Sequence, residues 1–545
     1  MAMYVPLREA TEVAQVGGKG EMLGRLLRSK VHIPDGIVFT TEMLVRFLAD
    51  HGLDVADGQT PTPEMIGKIR HALKHAVWQP HQLEWLREVY DAMPGRMCVR
   101  SSAVLEDGQH SSYAGVFTSV LNVTTFGEFI RAVREVWESA YGPDAVAYAQ
   151  QRKHPLLPMA VVVQQFLDAT ASGVAFLTEG RLHISATYGL GVGVVSGRVP
   201  ADSYTLSHRG AEPELEIHAK GICYVANESA VTMLHKQMTI KHQQSEIDLY
   251  PYDTDDRNAV YLCQVLPQRH AQPANSPVLK RDNVLRLAET LYALQDGPLG
   301  SGDWDIEWCW HHDEPRVLQA RPLTSSKVVE AYDAEPEPSS AGRLILTGKP
   351  ISAGEGIGPV RNINKDEDLD RIEAGDILVM DWIPDHFIRI LTKAAALLIS
   401  DGSPLSHCAI IAREWNIPCV GGVQRGSLQD GVWYRVNGST GKVYEAVDRP
   451  SVHQPSGLPA PTERLYVHAW LIQAMEAVNA SPASEKRWMN KWRKLLQAAG
   501  PDCEIVTDGV EELLLPGDPL APLFDRLLAG ALRDCRPAGL IRGRA

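Results

Sequence analysis

The sequence predicts a multidomain α/β protein, and three observations lead there. The chain has 545 residues, several times the ~100–200 of a usual domain, so about three or four domains with ample buried core are expected. Its composition is that of an ordinary globular protein, 44% hydrophobic and 22% charged, with 44 glycines and 35 prolines. Helical and strand-like stretches alternate along most of its length.

In the first block, residues 1–325, "GEMLGRLLRS" and "EFIRAVREVWESAY" read as helices. "RMCVRSSA", "MAVVVQQF" and "SGVAFLT" read as strands, which gives α/β with a mixed sheet. A flexible linker at 326–342 follows, in "SSKVVEAYDAEPEPSSAG", where Pro, Ser, Glu and Ala replace apolar periodicity. The second block, 343–448, has strand-like "GDILVMD" and "AAALLIS", a helix opened by His407, and the hairpin "GVWYRVNGSTGKVYEA". It reads as a small α/β domain. After a second break, "DRPSVHQPSGLPAPTER", the third block, 464–545, is expected to be mainly helical. There Trp488, Trp492 and Leu495 or Leu496 repeat along one face, as a core stripe or a docking face.

Charge and cysteine usage exclude several classes. Lys plus Arg total 53 against 67 Asp plus Glu, a net charge of -14, so no footprint for nucleic acid or an anionic membrane surface is present. No apolar run reaches the ~18 residues of a membrane span. The opening "MAMYVPLREA" lacks the order of a signal peptide, so a cytoplasmic chain is expected. Eight cysteines are scattered without a CxxC pair, which argues against a disulfide framework or structural zinc.

Three motifs of the first block carry chemistry. "VGGKGEMLG" places glycines around Lys19 before a helix, a pattern that lets backbone amides and a point charge approach a phosphate; a turn with an exposed lysine is the other reading. In "VRSSAVLEDGQHSSYAGVFTSVLNV", Arg100 leaves a strand and can clamp a phosphate through two nitrogens. In "DWDIEW" and "VLQARP", Glu307 and Gln319 can hold magnesium between phosphate oxygens; an ion pair of Arg321 with Glu307 is the structural alternative.

The order of these motifs resembles the nucleotide-binding half of the pyruvate phosphate dikinase and phosphoenolpyruvate synthase family, across nearly all of residues 14–324. The resemblance implies an ATP-grasp domain, two lobes closing on ATP and Mg2+. It implies Lys19 and Arg100 on the ATP phosphates, Glu307 and Gln319 on magnesium, and Arg321 on the transferred phosphate. One position departs: "GLGVGVVSGRVPAD" has Val192 where the family often carries an acid.

In the second block, "SDGSPLSHCAIIAREWNIPCVGG" resembles that family's swivelling phosphohistidine domain, whose signature is roughly GGxTSHAAIxARExxIPAVVG. Ser403 and Leu405 differ from it, and the Leu-Ser-His order is closer to the rifampin phosphotransferase branch. Chemistry supports a covalent role independently. A neutral imidazole attacks phosphorus, and a helix N-terminus disfavours imidazolium and stabilises the phosphoryl anion. Ser403 and Pro404 read as cap and first-turn residues, which places His407 inside the first turn.

Together these imply a dikinase in which the β-phosphoryl group of ATP passes through phospho-His407 to an acceptor, leaving AMP and phosphate. Only about 95 residues follow the second block, short of the ~200–250 of a pyruvate-binding (β/α)8 barrel. A small-molecule acceptor other than pyruvate is therefore expected, biosynthetic or antibiotic. A phosphocarrier that hands the group to a partner protein is the alternative. A nucleotide-binding regulator is a third reading, which the retained Lys19, Arg100, Glu307, Gln319, Arg321 and His407 argue against.

Overall fold

The computed structural model describes residues 2–446 except 54, 56–60, 107–112, 114–115, 153, 196–198, 227–237, 244, 256–259, 266–272, 324–341, 364–365, 381–390, 392, 401–406 and 425, together with 464–466, 504–506 and 539–541. The chain divides into two compact units, Met1–Arg449 and Pro450–Ala545. The linker at 326–342 lies almost wholly outside the described residues, as does the second break.

The first unit opens with a five-stranded sheet in the order Tyr4–Pro6, Gly36–Phe39, Ala160–Gln165, Met97–Ser102, Ser119–Val123. Alternation along Ala160–Gln165 divides its apolar run between two cores. Val161 and Val163 pack with Met97, Val99 and the helices Thr41–Ala49, Pro63–His75, Pro80–Ala92 and Phe126–Ser139. Ala160 and Val162 face the other way, into the core that holds the helix Val13–Arg28. The helix Phe126–Ser139 begins where Thr125 and Glu128 cap each other's backbone amides.

That second core is shared with a six-stranded sheet, ordered Glu314–Pro322, Trp304–His311, Ala171–Thr178, Arg181–Tyr188, Asp202–Leu206, Glu214–Glu216, and with the helix Arg281–Asp296. The region 205–300, where the motif resemblance is thin, contributes a four-stranded sheet: Ile222–Ala226, Val260–Val265, Ser245–Asp255, Met238–His242. Asp202 fastens this region to the six-stranded sheet. Its carboxylate accepts from Lys220 Nζ at 2.5 Å, from the His218 amide at 3.0 Å and from the Val278 amide at 2.7 Å, with both ion-pair side chains fully buried.

A mixed sheet was expected in this block, but every strand pair named in it is antiparallel. Many of these pairs are hairpins or join strands that are not consecutive in the chain, so alternation of helix and strand did not imply parallel crossovers.

The mixed sheet belongs to the next block. Its eight strands run Leu344–Thr347, Lys442–Glu445, Trp433–Asn437, Glu355–Asn362, Ile377–Met380, Ala396–Ile399, Cys419–Gly421, Lys349–Ser352. The four from Glu355–Asn362 to Cys419–Gly421 are parallel neighbours. Ile377–Met380 and Ala396–Ile399 are buried at every position, as central parallel strands covered on both faces are. The expected hairpin forms from Trp433–Asn437 and Lys442–Glu445.

In Pro450–Ala545 the described residues are three short parallel strands, Arg464–Tyr466, Glu504–Val506 and Gly539–Ile541. The helical reading did not anticipate them, and Trp488, Trp492, Leu495 and Leu496 lie outside the described residues. The six described cysteines form no disulfide, and no described helix is long and apolar enough to cross a membrane.

The helix Val13–Arg28 bends at Gly17, whose φ is 71°. A Cβ there would lie 1.9 Å from the Ser102 carbonyl oxygen. Gly17→Ala is expected to cost at least about 1–3 kcal/mol from the backbone conformation alone, with the steric overlap adding to it. Denaturant unfolding checks this, and an unchanged midpoint contradicts it.

Candidate active site

The bend at Gly17 delivers Lys19 beneath the strand Met97–Ser102. Lys19 is buried, not exposed. Its Nζ donates to the Ser101 carbonyl at 2.9 Å and lies 2.9 Å from Glu106 Oε1 and 3.3 Å from Ser101 Oγ. Glu106 is itself fixed, accepting from the Ala103 amide at 3.0 Å. The glycine amides are also committed within the protein: Gly18 donates to the Ala103 carbonyl at 3.0 Å and Gly20 to Ser102 Oγ at 2.8 Å. The glycine-lysine segment is thus latched onto the residues that follow Arg100.

Arg100 occupies the next-door position on the strand, with its side chain turned the other way by the period of two. It reaches across to the hairpin Trp304–His311/Glu314–Pro322. Its guanidinium donates to Gln319 Oε1 at 2.6 Å, the Leu318 carbonyl at 2.9 Å and Gln164 Oε1 at 3.3 Å, and lies 3.5 Å from Glu307 Oε2.

The hairpin register explains why those acceptors meet. Glu307 pairs directly with Gln319 and Asp305 with Arg321, so all four side chains share one face. Beyond Glu307 the register slips: Trp308 pairs with Val317, which leaves Leu318 as the extra residue of a bulge. A bulged residue has a carbonyl free of the ladder, and Arg100 takes it.

Arg321 does not pair with Glu307. Its Nε and a terminal nitrogen both hold Asp305 Oδ2, at 2.8 and 2.7 Å. Burial pushes the Asp305 carboxyl up against the pull of Arg321, and the charge of Glu307 adds to the rise. Asp305 Oδ1 is buried with no hydrogen-bond partner.

Of the residues predicted from sequence, Arg100, Glu307 and Gln319 converge, Arg321 sits on the adjacent hairpin pair, and Lys19 is held apart by Glu106. Sequence reasoning assigned no role to Glu106 or Asp305. Both signals were available, since Asp305 lies two residues before Glu307 on the same strand face and Glu106 closes the "RSSAVLED" stretch. Gln164 had no such signal, because it stands in an otherwise mostly apolar strand.

His407 is the first residue of the helix His407–Glu414, which connects the parallel strands Ala396–Ile399 and Cys419–Gly421. It stands where the chain leaves the carboxyl end of a parallel strand, the edge at which such sheets bind ligands. The Ser403 and Pro404 cap lies outside the described residues. Two residues of the helix, Ala409 and Ala412, are fully buried. Among the described residues no group of three or more His, Cys, Asp or Glu forms a metal cluster.

Comparison with known proteins finds two family models along the chain. Residues 13–339 match the family model of the pyruvate phosphate dikinase AMP/ATP-binding domain, and 372–441 match that of the PEP-utilising enzyme mobile domain. The chain is similar to a probable phosphoenolpyruvate synthase of Archaeoglobus fulgidus, 28% identical over 466 residues, which are 80% of this chain and 57% of that one. It is similar to the phosphoenolpyruvate synthase of Escherichia coli, 29% identical over 484 residues, 82% of this chain and 58% of that one. The chain therefore spans a little over half the length of these relatives.

Removing one partner of a buried pair strands the other charge. Glu106→Gln is expected to lower the unfolding free energy by about 3–5 kcal/mol, and Lys19→Met added to it to recover part of that loss. Denaturant titrations of the three proteins check this; a double variant no more stable than the single contradicts a paired role for Lys19.

Proposed function

The chain belongs to the family of the pyruvate phosphate dikinase AMP/ATP-binding domain, and from that premise we propose that it is an ATP-dependent dikinase-type phosphotransferase. ATP binds between the lobes, its β-phosphoryl group passes to His407, and from there to a small-molecule acceptor. The balance is ATP, water and acceptor giving AMP, phosphate and phosphorylated acceptor.

One observation carries this reading: Arg100 from one sheet, and Glu307 and Gln319 from a hairpin of another, converge on a single point, with the Asp305–Arg321 pair beside it. A polyphosphate needs such a mixture. Its charge calls for a forked cation and a lysine, and its metal calls for hard oxygens.

Magnesium is part of the proposal. Glu307 and Gln319 present oxygens from directly paired positions, and Asp305 Oδ1 is buried without a partner on the same face. This donor set fits a cation that is held by one or two carboxylates and keeps several waters and phosphate oxygens. Held by Glu307 and Gln319, such an ion would supply neutralisation of the phosphate charge. Arg100 then releases Gln319 and Glu307 and turns to the phosphates, and Lys19 exchanges Glu106 for the same anion. Arg321, steadied by Asp305, faces the transferred group.

The acceptor of the first transfer is His407. An imidazole nitrogen in its neutral form supplies the electron pair, and the helix start stabilises the phosphoryl anion that results. A phosphohistidine divides one transfer into two, so ATP and the acceptor need never meet.

His407→Ala is expected to bring AMP formation to background and to abolish the stoichiometric mass increase of one phosphoryl group expected when the wild type meets ATP and magnesium alone. Its affinity for a non-transferable ATP analogue should be unchanged. ADP as the product, or unchanged AMP formation in the variant, overturns the proposal. A phosphate-release screen over phenols, nucleosides, keto acids and antibiotics identifies the acceptor.

A further inference from the structure

The helix that begins at His407 does not pack only against its own sheet. Cys408, Ala409, Ile411, Ala412 and Trp415 belong to one buried cluster with Tyr113, Val116, Ala145 and Tyr148, which come from the nucleotide-binding lobe. The direct contact is aromatic: Tyr148 meets Trp415 edge to face, with ring centroids 5.3 Å apart and planes at 72°.

The lobe side of this contact is built with unusual backbone geometry. Tyr113 has φ 48°, a left-handed conformation that a bulky residue adopts only where its surroundings impose it. Its ring is part of a stack. The Tyr113 ring lies 4.3 Å from that of Tyr148 and 5.1 Å, nearly parallel, from that of Phe117. Its hydroxyl lies 3.2 Å from His154 Nδ1. The stack turns Tyr148 into a fixed platform.

We propose that the Tyr113–Tyr148 platform and Trp415 form the docking contact that positions the His407 helix for phosphoryl transfer from ATP. Trp415 directly follows Glu414, the last residue of that helix. A helix of eight residues is about 12 Å long, so holding Trp415 leaves His407 only the swing of a short rigid arm. Tyr148 and Trp415 are positioning residues, since neither touches the reacting atoms. Tyr113 belongs to the same stretch of chain as Glu106, the partner of Lys19, so nucleotide site and dock share one segment.

This inference rests on the phosphotransfer reading above, and the test separates the two. In the full chain with ATP and magnesium, single-turnover phosphorylation of His407 is followed together with affinity for a non-transferable ATP analogue. Tyr148→Ala is expected to slow phosphorylation at least about tenfold while analogue affinity stays within about twofold. Tyr148→Phe, which keeps the ring, should retain the wild-type rate. If Tyr148→Ala does not fold, Tyr148→Leu, which is apolar but not aromatic, carries the same expectation. A wild-type rate in Tyr148→Ala or Tyr148→Leu, or a loss of analogue affinity in parallel with the rate, overturns the docking role. A wild type that places no phosphoryl group on His407 overturns the reading beneath it instead.

Discussion

A single guanidinium, that of Arg100, ties the nucleotide lobes together. A part-buried arginine cannot be left without acceptors, and here four come from two separate elements: Gln164 on its own sheet, and Leu318, Gln319 and Glu307 on the facing hairpin. The bulge at Leu318 makes a backbone carbonyl available, and direct pairing of Glu307 with Gln319 places two more oxygens beside it. Because the hairpin face also carries Asp305 and Arg321, fixing one pair against Arg100 fixes the orientation of the other.

The neighbouring cation obeys the same constraint by another route. Lys19 is buried and must be neutralised where it sits, so Glu106 and Ser101 hold it on the segment that follows Arg100. Lys19 and Arg100, the cations expected to meet the phosphates of ATP, thus rest on protein acceptors. On the proposed function, an incoming polyphosphate would exchange one set of charged partners for another. Electrostatic stabilisation of this kind needs positions fixed in advance, which packed strands provide better than loops.

Much of this was legible in the residues. Strict helical spacing in "EFIRAVREVWESAY" and the apolar runs of the strands specified their elements, because period and burial are properties of local sequence. Strand direction was not legible, since helix and strand alternate in both antiparallel and parallel arrangements. Arg100, Glu307 and Gln319 were picked out by chemistry each could perform and given roles by the order of their motifs through the family resemblance, whereas Asp305 as the partner of Arg321 and Glu106 as the partner of Lys19 depend on register and on the bend at Gly17. Those are pairings of residues 16 and 87 positions apart, so the local signals that mark Asp305 and Glu106 do not decide which cation each one holds. The aromatic dock between Tyr148 and Trp415 is further still from local reading, for it joins residues on two blocks of the chain.

Which phosphorus of ATP reaches His407 separates a dikinase from a kinase that forms ADP. ATP labelled at the β-phosphorus and, separately, at the γ-phosphorus is incubated with the full chain and magnesium, and the label on His407 is located by peptide mapping under conditions that preserve phosphohistidine. Label from the β position on His407, with γ label released as inorganic phosphate, is the predicted result. Label on His407 only from the γ position, with ADP formed, contradicts it.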